Sequence, residues 1–176
     1  MIKKNTVCIV LYRTELVRYI KELGYIVSKA EGYASAEAQG AAHKIADILD
    51  KEDGGTDGND YIGTRMMNYA VAQLKATVRK HICEPDAGRA SHNAFYRPQE
   101  YHIHLRIETE TPGVMAETLQ EQMNRYVALS TLTEWCKLWN SDIATVYLTE
   151  AEQVATELKG MLNPPTKHER GGWPVW

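Results

Sequence analysis

The chain has 176 residues and a formal net charge of −3, with 44% hydrophobic and 24% charged residues. That length suits one domain with a sizeable core, the composition is ordinary for a globular protein, and the slight acidity argues against a general nucleic-acid binder, which carries a basic excess. No run of eighteen apolar residues occurs, so no segment reads as a membrane-spanning helix.

The opening stretch, MIKKNTVCIVLYRTEL, sets two lysines before an apolar patch. It is too short for a secretory signal and lacks a small-residue cleavage site. Within 5–24, Val7, Ile9, Val10 and Leu11 precede Leu16, Val17, Ile20 and Leu23. The second group has helical spacing, with Thr14 as its N-cap and Gly24 at the C′ position. The first group, TVCIVLY, fits a short strand and an extra helical turn equally well.

Alanine-rich SAEAQGAAHKIADILDK (35–51) favours helix by propensity. Its apolar line is Ala38, Ala42, Ile45 and Leu49. The glycine- and acid-rich DGGTDGND (53–60) marks an exposed turn. It is not a calcium loop, because Thr64 and Arg65 stand where a closing glutamate belongs. A third helix is expected from Asn59 or Asp60 to about Ile82. Ile62, Met66, Ala70, Leu74, Val78 and Ile82 repeat every four residues along it, and its cations gather in the last turns, where the helix dipole favours them. CEPDAGRASHN reads as loop.

One segment alternates with a period of two. Tyr101, Ile103, Leu105 and Ile107 interleave with His102, His104, Arg106 and Glu108, the pattern of a half-buried strand. Residues 94–97 are its expected partner, giving a small β-hairpin insertion at about 92–109. A lone hairpin is barely stable in water, so this one must pack on helices or pair with another chain. Thr111 and Pro112 then supply a cap and a first-position proline.

The rest of the chain leans on 113–162, two antiparallel helices joined by a short turn. In the first, Met115, Leu119, Met123, Tyr126, Val127, Leu132, Trp135, Cys136 and Trp139 recur at steps of three or four. Its second half is apolar almost all round, which predicts cover on more than one face. In the second, Ala144, Tyr147, Leu148, Ala151, Val154, Ala155, Leu158, Met161 and Leu162 form one stripe. Ser141 and the box Thr149-Glu150-Ala151-Glu152 compete to start it. The unbroken stripe favours a single helix from near Asp142, stopped by Asn163-Pro164-Pro165. The expected fold is therefore mainly α: four to five helices in one bundle domain over 1–162, the small hairpin, and an extended tail, 163–176. That tail, NPPTKHERGGWPVW, has no periodicity but carries two tryptophans. Ten Tyr and four Trp against one Phe suit half-wet surfaces, subunit interfaces among them.

Candidate chemistry is thin. Three cysteines, Cys8, Cys83 and Cys136, show no paired spacing and fit reduced thiols. His102 and His104 project to one face of a strand, and His92 or Glu108 would have to complete a metal set. No HExxH or CxxC supports that reading, and a solvated strand face is the simpler one. Neither Ser91-His92 nor Cys83 has the flanks of a nucleophile motif, and no glycine run follows a strand into a helix as a phosphate loop does. Glu117, Glu121 and Arg125 read as a wet helix face with Glu121 supporting Arg125. Arg65, Lys75, Arg79, Lys80, Arg89 and Arg97 are dispersed among acids and serve solubility. No catalytic residue, metal ligand or cofactor is assigned, and the chain reads as an architectural subunit, not an enzyme.

The order of parts over most of 33–176 resembles small proteins of tailed phages and prophages of the Bacteroides group. These parts are the glycine-rich turn, the DYIGTRMMNYAVAQLKATVRKHI helix, the alternating strand, the ETLQEQMNRYVALSTLTEWCKLW and AEQVATELKGML pair, and the Pro/Arg/Trp tail. It is more distantly similar to head–tail connector (adaptor or head-completion) proteins. The resemblance implies a virion protein, assembled in the host bacterial cytoplasm, that forms a homo-oligomeric ring, typically a dodecamer, beneath the portal. Such a ring continues the channel for genomic DNA without sequence-specific contact and meets the tail or a further connector protein. It also implies a C-terminal segment that reaches into the portal, here Arg170, Trp173, Pro174, Val175 and Trp176. Tyr101, Ile103, Leu105, Trp135 and Trp139 are the candidates for the subunit interface. Rival readings are a tail-completion or terminator protein of the same virion and a small metal- or DNA-binding helical protein.

Overall fold

The computed structural model describes residues 4–30, 34–51, 62–83, 98–108, 111–138 and 140–163. The chain is mainly α, with five helices and one two-stranded antiparallel β element among the described residues. In order these are β1 (Lys4–Tyr12), α1 (Arg13–Ala30), α2 (Ala34–Lys51), α3 (Ile62–Thr77), a 3-10 turn (Arg79–His81), β2 (Glu100–Glu108), α4 (Pro112–Cys136) and α5 (Ser141–Leu162).

The ambiguous N-terminal segment is a strand. Thr6, Val7, Ile9 and Val10 are β-branched and suit a pleated surface, and Ile9 and Leu11 are buried while Cys8 and Tyr12 are exposed. The strand passes into α1 without a connecting loop, so Arg13, not Thr14, opens the helix. Gly24 does not end it. α1 continues to Ala30, because an interior glycine costs only about 1 kcal/mol relative to alanine and α1 packs along α2.

The pairing of β2 differs from the expected hairpin. Its partner along the whole strand is β1, from Lys4 opposite Glu108 to Tyr12 opposite Glu100; 94–97 lies outside the described residues. The ribbon is thus a long-range seam between the N-terminus and the middle of the chain, and not a local insertion. Alternation explains the choice. Ile9 faces Ile103 and Leu11 faces Tyr101 on one side of the ribbon, so both apolar rows enter the core together. On its other edge β2 receives one further bond, from Cys83 N to the His104 carbonyl at 2.9 Å.

α4 is the central helix, packing against α1, α3, α5 and β1. All residues of 126–133 are buried, as the all-round apolar pattern predicts. The threonine hydroxyls among them bond within the helix: Thr131 Oγ1 donates to the Val127 carbonyl at 2.8 Å and Thr133 Oγ1 to the Leu129 carbonyl at 2.9 Å. That removes the cost of burying them unpaired. Thr111 occupies the N-cap position of α4 and Pro112 stands in its first turn, as expected, but the Thr111 side chain makes no capping hydrogen bond to the helix.

α5 is one uninterrupted helix from Ser141, as the unbroken stripe predicts, but neither Ser141 nor Thr149 caps it. Asn140 is the N-cap, its Oδ1 accepting from the amides of Asp142 at 3.0 Å and Ile143 at 3.2 Å. Tyr147, Ala151, Val154 and Leu158 hold the buried stripe, whereas Leu148 is exposed. Arg125 pairs across helices with Glu150 at 3.4 Å, in place of the expected support from Glu121 on its own helix.

α3 shows what a strict four-residue repeat does. Each step of four advances about 40° beyond a full turn, so such a line spirals round the helix. Along α3, Ala70 and Leu74 are buried, Met66 is half-buried and Ile62 is exposed; the helix ends at Thr77, short of the expected Ile82, so Val78 and Ile82 flank the 3-10 turn beyond it. Gly63, Thr64, Met67 and Val71 take the inward positions instead.

Candidate functional site

The spiral on α3 leaves an apolar surface at the start of that helix, beside the end of α4. Ile62, Met66 and Tyr69 meet Leu138 around an open recess of about 400 Å³, with Arg65 and Glu134 at its rim. Tyr69 is 52% exposed and Leu138 64% exposed. Leu138 lies just past the last turn of α4, where Lys137 and Leu138 still bond back to Thr133 and Trp135. The Lys137 ammonium holds Glu134 at 2.6 Å. Trp135 is half-buried and packed on the core, and its indole N–H is buried with no acceptor among the described residues. Single exposed apolar residues are normal on any protein; here Ile62, Tyr69 and Leu138 gather with the half-buried Met66 around one depression.

A second, smaller recess of about 200 Å³ opens where α3, α4 and α5 meet, with a mixed lining in which Gln73, Thr133, Lys137 and Glu152 stand beside Leu148, Ala151 and Ala155. It presents no convergent set of groups with a reaction to perform. Among the described residues, no group of three or more His, Cys, Asp or Glu is spaced to hold a metal ion, and no helix is long and apolar enough to cross a membrane.

The residues expected at a subunit interface are placed differently. Tyr101, Ile103 and Leu105 are 8%, 1% and 0% exposed. They are part of the subunit's own core, with the Tyr101 hydroxyl donating to Asn68 Oδ1 at 2.7 Å. This corrects their assignment: the ribbon finds its cover in the helices of the same chain and does not hold that face for a neighbour. Trp135 borders the recess region by sequence. Trp139 and the tail residues Arg170, Trp173, Pro174, Val175 and Trp176 lie outside the described residues. The recess residues Ile62, Tyr69 and Leu138 were not singled out as surface; the signal for the first was the four-residue repeat itself, whose drift predicts an exposed end. His102 and His104 lie on the ribbon's outer face, His102 with its Nε2 3.2 Å from Glu100 Oε2.

Comparison with protein families, with curated proteins and with solved structures found no match for the chain.

Proposed function

We propose that this chain is a structural subunit of a tailed-phage virion, a head–tail connector that forms a ring on the portal, continues the DNA channel and joins the tail. One observation supports it above the others: the apolar recess of Ile62, Met66, Tyr69 and Leu138 on an otherwise well-buried bundle. A ring repeats one heterologous contact until it closes, so each subunit needs an exposed surface that a differently shaped patch on its neighbour fills. An apolar centre rimmed by Arg65 and Glu134 has the anatomy of such a contact, in which charge sets orientation and buried area gives affinity. The sequence of the tail adds a second reach. Trp173 and Trp176, flanked by Pro174, Val175 and Arg170, are residue types that dominate binding energy where they insert into a partner; on this reading that partner is the portal.

The test is electron microscopy of the purified chain, alone and mixed with portal rings of the phage that encodes it. Closed rings, on their own or stacked on the portal, are the predicted result. Particles that show only dispersed single molecules beside undecorated portals contradict it.

A further inference from the structure

The outer face of the ribbon gathers groups that an assembly role does not use. Register places Cys8 opposite His104, and His102 opposite Val10 two pairs nearer the ribbon's end. Strand alternation points Cys8, His102 and His104 away from the core. Cys8 Sγ lies 3.9 Å from His102 Nδ1 and 3.9 Å from His104 Nε2. His102 Nε2 lies 3.2 Å from Glu100 Oε2.

Those distances fix roles. A neutral imidazole has one N–H donor and one acceptor nitrogen, and a carboxylate only accepts. Glu100 therefore favours the tautomer with hydrogen on Nε2, which leaves the Nδ1 lone pair facing the Cys8 thiol. A thiol, a base within reach of it, and a third group that orients the base is the arrangement that activates sulfur as a nucleophile. Among the described residues, the other charged or titratable groups at this face are Arg106 opposite Thr6, Tyr12 opposite Glu100, and Cys83, whose Sγ lies 4.0 Å from Thr6 Oγ1. The other two thiols are differently placed. Cys83 and Cys136 are buried, and desolvation pushes the Cys136 thiol up to about 12.

We propose that Cys8 is an imidazole-assisted thiol and the chain's site of exchange with low-molecular-weight disulfides, with His102 as proton acceptor and Glu100 as its positioning residue. In exchange with oxidised glutathione, the Cys8 sulfur bonds to one glutathione sulfur while the glutathione disulfide bond breaks. The thiol proton passes to His102 Nδ1 and then to the departing glutathione thiolate. One mixed disulfide and one reduced glutathione result: the Cys8 sulfur is oxidised, one glutathione sulfur is reduced, and oxidised glutathione is the oxidant consumed. Cys8 is exposed, so a small disulfide reaches it without opening the fold.

The experiment follows mixed-disulfide formation on the full chain with oxidised glutathione, by intact mass and peptide mapping, at pH 7 and pH 10. A single adduct on Cys8 is expected, forming at pH 7 about tenfold faster than on an unassisted cysteine peptide. His102→Ala and Glu100→Gln should each slow it several-fold at pH 7 and leave it unchanged at pH 10, where solvent base removes the proton. Both substitutions are on the exposed face, and the unchanged rate at pH 10 reports an intact fold. Equal rates for wild type and His102→Ala at pH 7 would overturn the proposal. So would a loss at both pH values, or first adducts on Cys83 or Cys136.

Discussion

The guanidinium of Arg13 is buried where β1 turns into α1, and its Nη2 donates to the Thr64 hydroxyl on α3 at 3.1 Å. The same nitrogen donates to the Leu49 carbonyl near the end of α2 at 3.2 Å, and the Arg13 amide donates to the Gln99 carbonyl at 2.9 Å. One residue thus ties the strand seam to two helices, and its cation sits at the carbonyl end of α2, which the helix dipole favours.

Arg13→Ala is therefore expected to cost about 3–5 kcal/mol, through the lost charge-assisted bonds and the cavity it leaves. Thr64→Val should cost about 1–3 kcal/mol, since it removes one acceptor and keeps the volume. Urea unfolding of the two variants measures both. Equal small losses would show that Arg13 does not join these elements.

The cap of α5 gives a sharper local test. Asn140→Ala should destabilise by about 1 kcal/mol, because it leaves two first-turn amides without their acceptor. Ser141→Ala, inside the helix by one residue, should be close to neutral.

Alkaline stability follows from two buried groups on facing helices. Burial raises the Cys136 thiol from its ordinary 9.0 to about 12. Burial, then the neighbouring charges of Cys136 and Glu150, raises the Tyr147 phenol above its ordinary 10.0. In the unfolded chain both release their protons at the ordinary values, while the folded chain holds them. The unfolded state then binds fewer protons, so stability is fully present below pH about 9 and falls as pH rises toward 12. Each group contributes a slope of up to about 1.4 kcal/mol per pH unit. Tyr147→Phe combined with Cys136→Ala should flatten that fall. Tyr147→Phe alone should be neutral or slightly stabilising at pH 7, since the hydroxyl is buried with no hydrogen-bond partner among the described residues.

The sequence carried local order better than long-range order. The alternation through Tyr101, Ile103, Leu105 and Ile107 identified β2 and its inward face, and the all-round apolar run of α4 announced its central place. The partner of β2 was not legible. A period-two pattern says which face is buried but not which other strand shares it, and the matching row on β1 is far away in sequence. Arg13 was likewise silent, because nothing local distinguishes a buried arginine from a solvated one. The recess was half-legible: the repeat through Ile62 and Met66 shows in the sequence, but its drift matters only once α4 stands beside it. Asn140 escaped notice because Ser141 is an equally good capping type.

Charge placed in the recess should separate assembly from folding. Tyr69 and Leu138 are exposed, so Tyr69→Lys and Leu138→Lys are expected to change stability by no more than about 0.5 kcal/mol. The same variants should weaken self-association, read as a shift to smaller species in size-exclusion chromatography with light scattering.

The most direct measurement is the mass of the native particle by sedimentation velocity across the attainable concentration range. The connector account predicts a discrete closed oligomer, with twelve copies the expected number, that the Leu138→Lys variant fails to form. A single subunit at every concentration, both alone and in the presence of portal rings, would contradict it.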